Sequence, residues 1–255
     1  MNEVFNVNRF FYASKSEVLL KRKNILITAG AILGVMLIIS IGSINSAGQW
    51  NMHLIFYPLI LLIGGTVTSS MVFNDLHQWP KNMHYLMTPA SMFEKWLVKL
   101  LFASVFYLLM SALLYFLFSL LSMAITLPIF GRAHPIFNPF HPVIVKVAGL
   151  YFMIHSVFFF GSVYFKKYAL VKTLLSITAL SILLGIFAGL VVRIAFAGLF
   201  NAGSFALRVE GQMYDWEKGQ KFFESLRLIT EVVSKYVLPP LFWVLSYFRL
   251  RESEA

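Results

Sequence analysis

Five stretches of this chain run for twenty residues or more with almost no charge: Asn24–Ile44, Leu54–Phe73, Trp96–Leu127, Val143–Phe165 and Leu170–Phe200. A helix needs about 20 mostly apolar residues to cross roughly 30 Å of hydrocarbon. In lipid it must also satisfy its own backbone hydrogen bonds. The five runs are therefore read as membrane-spanning helices. A sixth run, Tyr236–Phe248, has only 13 residues, about 20 Å of helix. Its span must begin further back, near Leu228, and would carry Glu231 and Lys235, an i,i+4 pair that offsets its own charge. Pro239-Pro240 predicts a kink in it. Composition agrees. Of 255 residues, 59% are apolar and 13% charged, against about 45–50% and a quarter in soluble domains. A soluble enzyme, a disordered chain and a nucleic-acid-binding domain are set aside. The expected fold is all-α: one polytopic transmembrane domain, 1–255, with about six transmembrane helices.

Lysine and arginine orient the chain. Arg9, Lys15, Lys21, Arg22 and Lys23 precede the first run, and residues 45–53 hold none. Lys81, Lys95 and Lys99 follow the second run, and 131–142 holds only Arg132. Lys166, Lys167 and Lys172 come next, and Arg249 and Arg251 close the chain. Alternate loops are basic, so both termini and the basic loops are expected in the cytoplasm. Segment 201–235 runs against the pattern, with five basic and five acidic residues. The net charge of +10 then orients a membrane protein rather than binding nucleic acid. The N-terminus lacks a short apolar stretch with a small-residue cleavage site, so no secretory signal is expected. Without cysteine there is no disulfide, thiolate metal site or Cys nucleophile.

Three polar segments remain. Residues 1–23 carry Val7, Phe10, Phe11 and Val18 near helical spacing among basic residues, and read as an interfacial helix on the cytoplasmic leaflet or a basic tail. Residues 201–235 carry Phe222, Phe223, Leu226, Ile229 and Val233 on one helical face, an outer amphipathic segment. Residues 74–95 are the most informative. Leu76, Trp79 and Met83 suit a short surface helix that Pro80 interrupts. Ser91-Met92-Phe93-Glu94 is a capping box that starts the third span, and Pro89 blocks any earlier start. The segment reads either as a docking site for a soluble partner or as a plain connection between helices.

The run Tyr85-Leu86-Met87-Thr88-Pro89-Ala90-Ser91 with Glu94-Lys95, and the ending Tyr247-Phe248-Arg249-Leu250-Arg251-Glu252, resemble the permease subunits of ABC-type-2 transporters. They are most similar to the small permeases of Bacteroidetes, with their "L-x-x-P-A-S-x-x-E-K" loop and "Y-x-R-L-K-E" tail; Thr88 and Arg251 depart from that pattern. The resemblance implies a permease, an exporter, in a bacterial inner (cytoplasmic) membrane. It implies that residues 74–95 form a cytoplasmic coupling loop on a separate ATPase subunit, contacted through Leu86, Pro89, Ala90, Ser91, Glu94 and Lys95. It further implies a second permease copy or homologue. The rival class is a non-transport membrane protein, an assembly factor or anchor with a passive loop.

Gly30 and Gly34, and Gly185 and Gly189, form GxxxG pairs, where small residues let helices approach closely in lipid. They serve packing within one chain or a subunit interface. Lys146 can snorkel. Arg193 reads as interfacial, or as an intramembrane charge with a transport role. His155, mid-span, is expected to be a hydrogen-bonded core histidine. No His spacing suits a metal, no GxxxxGK[ST] is present, and GxSxG and HExxH are missing. No cofactor and no enzyme activity are expected on this chain; any ATP hydrolysis belongs to another. Membrane lipid is the remaining expected partner.

Overall fold

The computed structural model describes residues 5–45, 53–77, 90–131, 135–195 and most of 224–254. Among them every regular element is helical. The order is α1 (Val7–Asn45), α2 (His53–Ser70), a 3-10 turn (Asn74–His77), α3 (Met92–Leu101), a π-helical turn (Phe102–Phe106) and α4 (Tyr107–Phe130). Then follow α5 (Pro142–Tyr164), α6 (Ala169–Ala195), a second π-helical turn (Val233–Val237) and α7 (Leu238–Glu254). Leu86, Pro89, the surface helix expected beyond His77 and residues 201–223 of the outer segment lie outside the described residues.

Among the described residues, four stretches are long and apolar enough to cross a membrane: His53–Ser70, Met92–Pro128, Pro142–Tyr164 and Ala169–Val191. They coincide with the second to fifth expected spans. The chain is thus a multi-pass helical membrane protein. α1 holds the first expected run and α7 the last.

The N-terminal stretch is helical from Val7. It continues into the first apolar run as one helix of 39 residues, about 58 Å long. No proline or glycine interrupts it before Gly30, and Lys21, Arg22 and Lys23 are good helix formers. The other end of the chain carries the two prolines. Neither Pro239 nor Pro240 can donate to the ladder, and the turn just before them widens to the π form. The Glu231–Lys235 ion pair forms there.

α5 is the central helix, flanked by α2, α6 and α7, while α1 runs beside α3 and α4. Two cores result. In the first, Ile32, Tyr57, Leu61, Tyr115, Ile144 and Tyr151 surround Phe137 from the α4–α5 connection. The Phe137 ring lies 4.7 Å from those of both Tyr57 and Tyr115, and its N–H donates to Ser119 Oγ at 3.0 Å. Gly131, with φ 65°, ends α4 in the left-handed conformation that glycine adopts without penalty. In the second core, Phe73, Trp96, Leu100, Phe159 and Leu250 meet, and Trp96 Nε1 donates to Ser246 Oγ at 2.9 Å.

His155 is fully buried on α5, but it is not the hydrogen-bonded histidine expected. Neither ring nitrogen has a partner among the described residues. Its neighbours are aromatic: Phe159 stacks at 5.4 Å, with Tyr151 at 5.7 Å and Trp243 at 6.3 Å. A buried polar group without a partner costs about 1–3 kcal/mol. His155→Phe should therefore raise stability by about that amount, read as a higher thermal unfolding midpoint in detergent. A lower midpoint would show that the imidazole is satisfied after all.

Candidate functional site

The first turn of α3 forms as its sequence predicts. Ser91 is extended (φ −66°, ψ 158°) and caps the helix. Its Oγ accepts the Glu94 N–H at 3.2 Å, and Glu94 Oε2 accepts the Ser91 N–H at 2.7 Å. Glu94 has a second oxygen, and it is also used. Oε1 accepts the Asn6 N–H at 2.6 Å and lies 3.2 Å from Arg9 Nη2. Asn6 in turn caps α1, its Oδ1 accepting the N–H groups of Asn8 at 3.0 Å and Arg9 at 3.4 Å. One carboxylate, 0% exposed, therefore sits between two helix N-termini and a guanidinium. Each of these attracts negative charge, the helix ends through roughly half a unit of positive charge apiece.

A second ion pair lies further along the same helices. Lys99 Nζ is 2.9 Å from Glu17 Oε1, with the lysine side chain 2% exposed. The same ammonium donates to the Val72 carbonyl at 3.1 Å and lies 5.5 Å from the centre of the Phe73 ring. Three segments are thus gathered at one point: α1, the end of α2 and α3. The C-terminus adds a fourth. Tyr247 approaches Trp96 at 5.6 Å and Phe93 at 6.0 Å, and Leu250 is buried beside them.

The two stretches that carry the family resemblance, around Ser91–Lys95 and Tyr247–Glu252, are therefore neighbours. Ala90, Ser91 and Lys95 are partly buried in this assembly and Glu94 is sealed within it. Sequence reasoning found Ser91 and Glu94 but missed Asn6, Arg9, Glu17 and Lys99 as their companions. The available signal was an acidic residue, Glu17, in a basic segment, and a lysine set inside an apolar run.

The four GxxxG glycines are not brought together. Among the described residues nothing lies within 4 Å of where a side chain would begin at Gly30, Gly34, Gly185 or Gly189. Close packing uses Gly64 against Tyr107, Gly65 against Tyr151 and Gly161 against Thr173 instead. Among the described residues of the span Ala169–Val191, only Thr173 is buried. That span closes two residues before Arg193.

Each named carboxylate is held by a cation or by N–H donors. Among the described residues no group of three His, Asp or Glu side chains is placed to hold a metal ion. Comparison with protein families, with characterised proteins and with solved structures finds no match.

The Glu17–Lys99 pair makes a direct prediction. Removing one member of a buried pair leaves the other charge stranded, at a cost of about 3–5 kcal/mol. Lys99→Met should lower the unfolding midpoint by that measure, and Glu17→Leu/Lys99→Met should recover most of the loss. A double variant no better than the single one would show that Lys99 acts through Val72 or Phe73 alone.

Proposed function

We propose that this chain is the membrane-spanning permease subunit of an ABC-type-2 transporter, an exporter of the bacterial inner membrane. A separate ATPase subunit docks on residues 74–95, and a second permease copy or homologue completes the pathway. Six spans cross the bilayer, with the apolar half of α1 first and α7 last. Both termini lie in the cytoplasm, on the side where the basic loops accumulate.

The observation that carries this reading is the gathering of α1, α2, α3 and the C-terminus at the end of the bundle next to 74–95. A push on that segment reaches several helices at once instead of being absorbed by one loose connection. Closure of the ATPase would tilt the helices between inward- and outward-open states. A passive anchor has no need of two ion pairs, each with one member withdrawn from water, at that place.

Co-purification of the chain with an ATPase encoded beside it tests the partner directly. The role of Glu94 is separable from docking. Glu94→Gln keeps an oxygen for the cap and loses the pair with Arg9, whereas Arg9→Gln loses the pair from the other side. If the clamp transmits the stroke, both variants should lower transport per ATP hydrolysed in the reconstituted complex, with expression unchanged. If Glu94 instead meets an arginine of the ATPase, Arg9→Gln should behave as wild type.

Orientation has its own test. The chain has no cysteine, so single introduced cysteines report cleanly. Ser46→Cys and Ser204→Cys should react with an impermeant reagent in intact cells, and Asn82→Cys and Ser253→Cys should not. Labelling at Asn82→Cys would put the docking segment on the wrong side.

A further inference from the structure

A cleft of about 420 Å³ opens between α1, α2 and the helix that runs through the π-helical turn at Phe102–Phe106. It falls within the size range of small-molecule sites, yet its chemistry is one-sided. Val67, Met71, Phe106 and Met110 stand in the walls, and among the described residues no charged side chain lines it. Three hydroxyls do. Each already donates inside the protein: Thr68 to the Gly65 carbonyl at 3.0 Å, Tyr107 to Ile60 at 3.2 Å and Ser111 to Leu108 at 3.0 Å. Among the described residues, no lining hydroxyl is left to hold a polar ligand by donation. An uncharged chain without hydrogen-bonding groups matches such a lining.

The mouth indicates where that chain comes from. Ile27 is 60% exposed and Met71 58%, with Val67 and Phe106 also on the surface. These residues continue the outward faces of α1, α2 and α3–α4, two of which are membrane-spanning stretches. The cleft is therefore continuous with the surface that faces lipid tails. A cleft of this size and lining has room for an alkyl chain.

A charge lies where a head group would follow. Lys23 is exposed and stands four residues before Ile27, on the same helix face one turn nearer the basic end. Lys99 is committed to Glu17 and the Val72 carbonyl.

We propose that the cleft is a lipid site in which one alkyl chain of an anionic phospholipid lies between α1, α2 and the π-helical turn, with its head group at Lys23. This assignment is independent of the transport reading and stands or falls separately from it.

Native mass spectrometry of the full chain tests it, using phosphatidylglycerol and phosphatidylcholine with identical tails. The wild type should keep one phosphatidylglycerol when released from detergent. Val67→Trp, which fills the cleft, should lose it. Ile63→Trp lies one turn away on the same helix, 61% exposed and outside the cleft, and should keep it. Lys23→Gln should retain a lipid but lower the preference for phosphatidylglycerol roughly fivefold, the loss expected for one lysine near an anionic surface. Excess inorganic phosphate should leave the lipid in place. Retention by Val67→Trp, equal loss in Ile63→Trp, an unchanged preference in Lys23→Gln, or displacement by phosphate would each overturn the assignment. A monodisperse profile for both tryptophan variants keeps the comparison between folded proteins.

Discussion

The Glu94 carboxylate is the interaction on which the arrangement of the helices turns. A charge withdrawn from water is costly unless it is paired and hydrogen-bonded, and this one is fully withdrawn. Its partners come from two places far apart in sequence, the capped start of α3 and the capped start of α1. Separating those starts would leave a buried carboxylate short of donors. The helices therefore leave the same end side by side, and the Glu17–Lys99 pair repeats the constraint further along. Ile32 then reaches the aromatic core around Tyr57 and Tyr115, and the cleft opens where α1 and α2 stop filling the space beside the π-helical turn.

Much of this fold was legible in the sequence because the membrane imposes simple rules. The runs Leu54–Phe73 and Val143–Phe165 announce themselves by length and lack of charge. Ser91 and Glu94 announce a helix start because capping is a contact between residues three apart. What lies beyond local range was not legible. No pattern joins Glu94 to Asn6 or Arg9, 88 and 85 residues away. Nor does polarity alone reveal that 7–23 continues into the first apolar run, because an amphipathic helix on a membrane and the lower half of a long helix share one periodicity.

The glycines and His155 show a different kind of limit. A spacing of four is a rule for two helix backbones that meet. Gly65 instead makes room for the ring of Tyr151, a demand set by one large side chain and invisible to spacing. Most buried polar side chains find a hydrogen-bond partner, which is the ground for expecting one at His155. Here the surrounding positions on α5 and α7 are aromatic, so the ring has company but no acceptor or donor among the described residues.

The π-helical turn at Phe102–Phe106 settles the rotational phase of a continuous helix. A π turn holds roughly one residue more than an α turn, and one residue corresponds to about 100° around the axis. α3 can thus point Glu94 and Lys99 at α1, while α4 is turned so that Tyr115 faces α2 and Phe137. With an unbroken α-helical repeat those two faces would be out of step, and satisfying one would swing the other toward lipid. The extra residue acts as a phase shifter, letting a single rod serve a polar joint at one end and an aromatic core along the rest of its length.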